Sequence, residues 1–110
     1  NVYFSNHYSS LDPDPTVQEF IKSFKAQYNK EPDAFNALGY DLAKFVADGI
    51  SRAEKPDGES VRNALAETKE FHGVTGTITV DENHNAVKDI IVIQMENGKQ
   101  ANSERIKPEE

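Results

Sequence analysis

The run Asp89-Ile-Ile-Val-Ile-Gln-Met95 carries apolar side chains on both of its faces. Side chains along a β-strand point alternately to opposite faces, so such a strand belongs inside a sheet covered from both sides. It therefore demands partner strands along its edges and apolar layers above and below. All of these must come from the rest of a 110-residue chain or from something packed against it.

The remaining segments supply helices more readily than strands. Residues 2 to 5, Val-Tyr-Phe-Ser, are a short β-prone run. Asn6 to Pro15, with Asn, Ser, Asp and two prolines, break it into a loop. Val17, Phe20, Ile21, Phe24 and Tyr28 then recur at helical spacing. Asp14 is the expected N-cap, and Pro15 or Thr16 the first helical residue. Pro32 ends the element, since proline cannot continue a helix and disfavours one at Glu31. A second helix carries the stripe Leu38, Leu42, Phe45, Val46, Ile50 and Ala53. Gly39 and Gly49 lower its propensity by roughly 1 kcal/mol each, which points to close approach by a neighbouring backbone. Lys55-Pro56-Asp57-Gly58 separates a third helix with Val61, Ala64 and Leu65 facing inward.

At Gly73 the period changes. Val74, Gly76, Ile78 and Val80 alternate with Thr75, Thr77 and Thr79, the pattern of one half-buried strand. Asp81 to Asn85 is a turn, and the tail from Asn97 is polar, extended or loose. The order is strand, three helices, then two strands. This is an α/β class with three helices, about three strands and an incomplete sheet, since typical sheets carry about 5 to 6 strands.

The charge pattern excludes several function classes. Twelve basic against nineteen acidic residues leave a net charge of -7, which repels phosphate backbones and excludes nucleic acid as an expected partner. Cysteine is absent, so thiolate catalysis, disulfides and Cys-ligated zinc are excluded. No apolar run approaches the ~20 residues needed to span a bilayer. No basic-then-apolar signal opens the chain, so for an exported parent the signal is expected upstream.

The chemistry-bearing residues form no catalytic or metal constellation. Asp81-Glu82-Asn83-His84-Asn85 begins like a calcium loop, but Ala86 and Val92 stand where that loop needs Gly and Glu, so a turn is expected. His7, His72 and His84 are widely separated. Glu67 and Glu70 read as a solvated helix face. No catalytic residue, metal ligand or cofactor is expected, and the protein is not expected to be an enzyme.

Two motifs then carry a resemblance: Phe35-Asn36-Ala37-Leu38-Gly39-Tyr40-Asp41, and Phe71-His72-Gly73-Val74-Thr75-Gly76-Thr77-Ile78-Thr79-Val80-Asp81. With the helix before Pro32 and the apolar run 89 to 94, their succession resembles the C-terminal third of substrate-binding proteins of ABC importers, in the branched-chain amino-acid (leucine/isoleucine/valine) group. The likeness covers nearly the whole chain. One departure is His84, where the family usually has Gly in the turn. His and Asn tolerate positive φ, so the turn is expected to survive.

The resemblance implies a partial lobe of a type I periplasmic-binding-protein fold, whose two α/β lobes joined by crossing strands hold ligand between them. Residues 1–15 correspond to a crossing strand and loop, 16–95 to helices and strands of lobe one, and 96–110 to a crossing and tail. The implied parent is an extracytoplasmic protein, periplasmic or a cell-surface lipoprotein, that captures an amino acid for an ABC permease. A sensor or receptor ectodomain of the same fold is the alternative. Phe35 is implied to line the ligand cleft; otherwise it is a hydrophobic staple at a helix start. Asn36 is a polar candidate at the same entrance, or a simple N-cap. Tyr40 and Asp41 are expected to be structural, and Asn6 and His7 are hinge residues that face the cleft or do not. The ligand's carboxylate and ammonium are implied to be gripped by residues outside this segment. As a fragment, the chain is expected to self-associate, by exchanging its N-terminal strand or its tail.

Overall fold

The computed structural model describes residues 1–109. The elements run β1 (Val2–Asn6), α1 (Pro15–Tyr28), α2 (Ala34–Arg52), α3 (Gly58–Ala66), β2 (Phe71–Gly73), β3 (Gly76–Val80), β4 (Ala86–Val87), β5 (Ile90–Glu96) and β6 (Lys99–Ile106). The α/β class and the three helices stand as expected. Six strands replace about three, divided between two antiparallel three-stranded sheets, β1-β5-β6 and β2-β3-β4.

The first helix forms on local chemistry. Asp14 accepts a hydrogen bond from the Thr16 backbone N–H, Pro15 occupies the first turn, and Asn29 closes the C-terminus in the left-handed region. Its apolar face packs Val17 and Phe20 with Tyr8, Ala37 and Val74 into the buried core, bordered by Ile21, Phe24 and Ala34. Phe20 meets Tyr8 edge-on at 6.2 Å between ring centroids, a favoured aromatic geometry.

Residues 73 to 80, expected as one strand, are instead the core of a hairpin. β2 pairs with β3, and Gly73 opposes Gly76 across the two-residue turn Val74-Thr75. Neither turn residue is a usual turn former. The turn is held by Asp41 of α2, which is 4% exposed. Its carboxylate accepts from Val74 N and Thr75 N, each at 2.8 Å, and from Thr75 Oγ1 at 2.6 Å. A Cβ at Gly73 would fall 2.7 Å from Asp41 Oδ2, so the approach requires glycine there. The structural role expected of Asp41 is thus specific: it ties helix to hairpin.

The sheet β1-β5-β6 revises two expectations. The polar tail is not loose; Lys99–Ile106 pairs with β5 along its length. Asn97 (φ 52°) and Gly98 (φ 76°) form the hairpin turn, and Asn-Gly is a strong signal for one. β5 is central, as its apolar run demands, but it is covered on one face only. Ile91 and Ile93 are buried, whereas Ile90 is 50% exposed.

An arginine clamp ties this sheet to the rest. Arg105 of β6 donates to Asp89 Oδ2 at 3.1 Å and to the Asp12 carboxylate of the loop before α1, both acids being buried. Burial alone would lower the Arg105 pKa, but the hydrogen bonds and charges of the two aspartates outweigh it and raise it. Gly76 (φ +118°) lies beneath the clamp; a Cβ there would come within 3.0 Å of Arg105 Nη1.

The helix stripes correct the expectation most. In α2 the buried residues are Ala37, Asp41 and Gly49, while Leu42 and Ile50 are exposed. In α3 only Ala64 is buried, and Val61 and Leu65 are half-buried. Gly49 does accommodate a close neighbour, but it is the Leu65 side chain and not a backbone, and Gly39 faces open space. Glu67 and Glu70 do not share a helical face, since α3 ends at Ala66 and Glu70 has φ 52°.

Candidate ligand-binding site at the start of α2

The entrance to α2 is built by a reciprocal cap. Asn36 N donates to Asp33 Oδ1, and Asp33 N donates to Asn36 Oδ1, both at 2.9 Å. Asp33 is therefore the N-cap and Asn36 the third helical residue of a capping box. This corrects the simple N-cap reading of Asn36 and engages its amide oxygen within the chain.

Phe35 is the second helical residue and is 83% exposed. The positions that form a hydrophobic staple, immediately before the cap and at the fourth helical residue, are Pro32 and Ala37, both buried. Phe35 does not occupy the staple position. It presents a bare aromatic ring at the mouth of the helix.

Beside this entrance lies an open cavity of about 500 Å³, lined in part by Asn6, Tyr8, Glu31, Asp33 and Gln100. Asn6, at the end of β1, is brought to the start of α2, where Ala34 also lines the cavity. Phe35 stands at the next residue. The Tyr8 hydroxyl is buried without a hydrogen-bond partner among the described residues. Burial, then the nearby charges of Glu31 and Asp33, push its pKa up to about 12. The cavity is polar and carries acid on one side.

His7 is placed elsewhere, in a groove between α2 and the β2-β3-β4 sheet, near Lys88. Lys88 Nζ donates to Thr75 Oγ1 at 2.7 Å, joining the Asp41 network. Burial lowers the Lys88 pKa, with Asp41 opposing that shift. Burial, then the Lys88 charge, lower that of His7. His72 lies against Thr16 Oγ1 at 3.1 Å. His84 sits in the turn after β3 with φ 66°, the conformation glycine would supply, and Asp81 Oδ1 accepts from Asn83 N and Asn85 N to close that turn. Among the described residues no cluster of His, Cys, Asp and Glu could hold a metal ion, and no helix is long and apolar enough to cross a membrane.

Sequence reading singled out Phe35 and Asn36 and left Asn6 and His7 open; of these four only Asn6 lines the cavity, and Tyr8, Glu31 and Gln100, which also line it, were not singled out. Glu31 and Tyr8 carry no motif, and Gln100 reaches the cavity only because β6 folds back. The arrangement offers an exposed aromatic ring beside a polar recess, which suits a ligand with an apolar part and a polar part.

A family model described as periplasmic binding protein matches residues 1–100. Among solved structures, the chain is similar to the branched-chain amino acid transporter substrate-binding protein LivJ of Streptococcus pneumoniae, in complex with isoleucine. The identity is 36% and the TM-score 0.83, over 98% of this chain and 31% of that one. It is also similar to the leucine-binding protein LivK of Thermotoga maritima, with 36% identity and TM-score 0.80, over 97% of this chain and 31% of that one. The chain thus spans about a third of the length of these proteins. Its match from residue 1 to 100, the α/β architecture and the two motifs agree, and the chain belongs to the periplasmic binding protein family.

Proposed function

We propose that this chain is one part of an extracytoplasmic solute-binding protein that captures an amino acid, branched-chain or related, and presents it to an ABC permease. The work is binding; no bond is made or broken. The observation that carries this reading is the similarity along almost the whole chain to a protein whose structure holds isoleucine.

Residues 1–15 and 96–110 serve as crossing segments and 16–95 as lobe-one elements. β1 and β6, which fall in the two crossing segments, pair on either side of β5, the last strand of the lobe-one stretch. Phe35 is an apolar wall of the ligand cleft, supported by its exposure and by its displacement from the staple position. Asn36 contributes through its place in the first turn, where its cap holds Phe35 in orientation. The isolated 110-residue chain binds no free amino acid usefully and associates with itself.

The test is a chimera in which this chain replaces the matching segment of the S. pneumoniae protein, titrated calorimetrically with isoleucine. Binding is expected, and Phe35→Ala should weaken it about tenfold or more, because burying such a side chain is worth roughly 1.5 to 3 kcal/mol. A folded chimera that ignores isoleucine refutes the solute reading. Unchanged affinity in Phe35→Ala removes Phe35 from the site.

A further inference from the structure

The Tyr8 hydroxyl is the one buried side-chain polar atom that the described residues leave without a hydrogen-bond partner. Tyr8 is 5% exposed, and its ring is held in the core against Phe20. Leaving a buried hydroxyl unpaired is costly. The ring cannot swing out to water without opening the core, so a partner must come to the hydroxyl. Glu31 and Asp33, whose charges act on that hydroxyl, line the recess of about 500 Å³ at the start of α2. The phenol end is therefore the end turned to the recess.

The recess selects by charge. Glu31 and Asp33 are both exposed on it, and no lysine, arginine or histidine lines it. Lys25 pairs with Glu31 Oε1 at 2.8 Å, and Asp33 Oδ1 accepts from Asn36 N. The other oxygens, Glu31 Oε2 and Asp33 Oδ2, accept no hydrogen bond from the described residues. The amide oxygens close by are engaged: Gln100 Oε1 accepts from Ser9 Oγ, and Asn6 Oδ1 from His7 N, both at 2.8 Å. Two carboxylate oxygens and one hydroxyl oxygen are thus the open acceptors. An apolar wall of Ile21, Pro32 and Ala34 completes the recess. A carboxylate ligand would be repelled here. A metal ion would lack ligands, since no group of three or more His, Cys, Asp or Glu is gathered among the described residues.

We propose that the recess is a subsite for a primary ammonium on a short aliphatic chain, which donates to the Tyr8 hydroxyl oxygen and to the free oxygens of Glu31 and Asp33. Its three N–H donors match three open acceptors on three separate side chains. A guanidinium is a flat fork suited to one carboxylate and fits that arrangement less well. The methylenes lie along Ile21, Pro32 and Ala34. Burial and the two acids push the Tyr8 pKa up to about 12, so the hydroxyl stays neutral beside the cation. A net charge of -7 draws cations to the chain. That the ammonium belongs to the captured solute, as the far end of an amino-acid side chain passing Phe35, rests on the reading proposed above.

Every residue of the subsite lies on this chain, so the 110-residue protein tests it with n-butylammonium as the probe. In an NMR titration the Tyr8 ring and the Asp33 and Ala34 amides should shift saturably at millimolar probe, and more weakly as salt is raised. n-Butanol, without the charge, and butyrate, with the opposite charge, should leave them unmoved. Tetramethylammonium, charged but without N–H donors, should bind about tenfold more weakly or worse. Tyr8→Phe should raise the dissociation constant about tenfold, and so should Asp33→Asn, which keeps a good N-cap. No saturable shift, an equal response to n-butanol, or unchanged binding in both variants overturns the subsite. The chimera then identifies the source of the ammonium. It should still take n-butylammonium, and should bind ornithine about tenfold more tightly than norvaline, the same side chain without its amine. A chimera that refuses n-butylammonium while the chain alone binds it has the recess filled by the rest of the longer protein, and overturns the assignment to a solute. Ornithine bound no tighter than norvaline does the same. None of these outcomes depends on whether the chimera binds isoleucine, so the two readings fail separately.

Discussion

Replacing Asp41 by Asn tests whether one helix carboxylate holds the β2-β3 turn. The two side chains have nearly the same shape, so packing is preserved while hydrogen bonding changes. Asp41 accepts three hydrogen bonds from Val74 N, Thr75 N and Thr75 Oγ1 at 2.6 to 2.8 Å, shared between both of its oxygens. An asparagine offers one oxygen, and its amide would face a donor at the other position. At least one buried backbone N–H then loses its partner, and hydrogen bonds to a charged group are worth about 1.5 to 3 kcal/mol each. With one such bond lost, a loss of about 1.5 to 3 kcal/mol is expected. For a domain of this size that is a fall in midpoint of roughly 6 to 20 °C. Thermal unfolding followed by circular dichroism at fixed protein concentration reads it directly. A midpoint within a few degrees of the parent would refute the claim that Asp41 holds the turn, and would leave Val74-Thr75 formed by its own strands.

Two further perturbations follow from buried polar groups. Arg105→Met should destabilise the chain by about 3 to 5 kcal/mol in a denaturant titration, because it leaves the buried Asp12 and Asp89 without their cation; a change under about 1 kcal/mol would remove the clamp from the fold's supports. Tyr8 has its hydroxyl pKa raised from 10.0 to about 12 and is 5% exposed. The folded state keeps this proton where the unfolded state releases it, so its contribution is fully present below pH 10 and is lost as pH rises through about 12. The loss reaches about 2 to 3 kcal/mol. Tyr8→Phe should abolish that alkaline limb and, by removing an unpartnered buried hydroxyl, raise stability near neutrality by about 1 kcal/mol. An unchanged alkaline limb in Tyr8→Phe would show that other groups carry it.

The sequence alone determined what short-range chemistry could specify. Asp14, Pro15 and Asn29 bound α1 from within its own residues, and the turn at 81 to 85 closes on Asp81 with His84 in the positive-φ position. The family resemblance rested on ordered motifs and held. The hairpin Asn97-Gly98 was equally local, and its signal stood in the sequence unread beside a tail whose polarity suggested a loose end. What only the tertiary structure decided depends on partners far along the chain. Val74-Thr75 turns because Asp41, 33 and 34 residues earlier, accepts its backbone protons. Periodicity identified the apolar stripes of α2 and α3 but could not say what faces them, because the spacing of apolar residues fixes a side of a helix and not its neighbour. The same holds at Phe35: sequence placed an aromatic at the helix mouth, and only the folded chain shows it exposed there, between the two residues of the capping box.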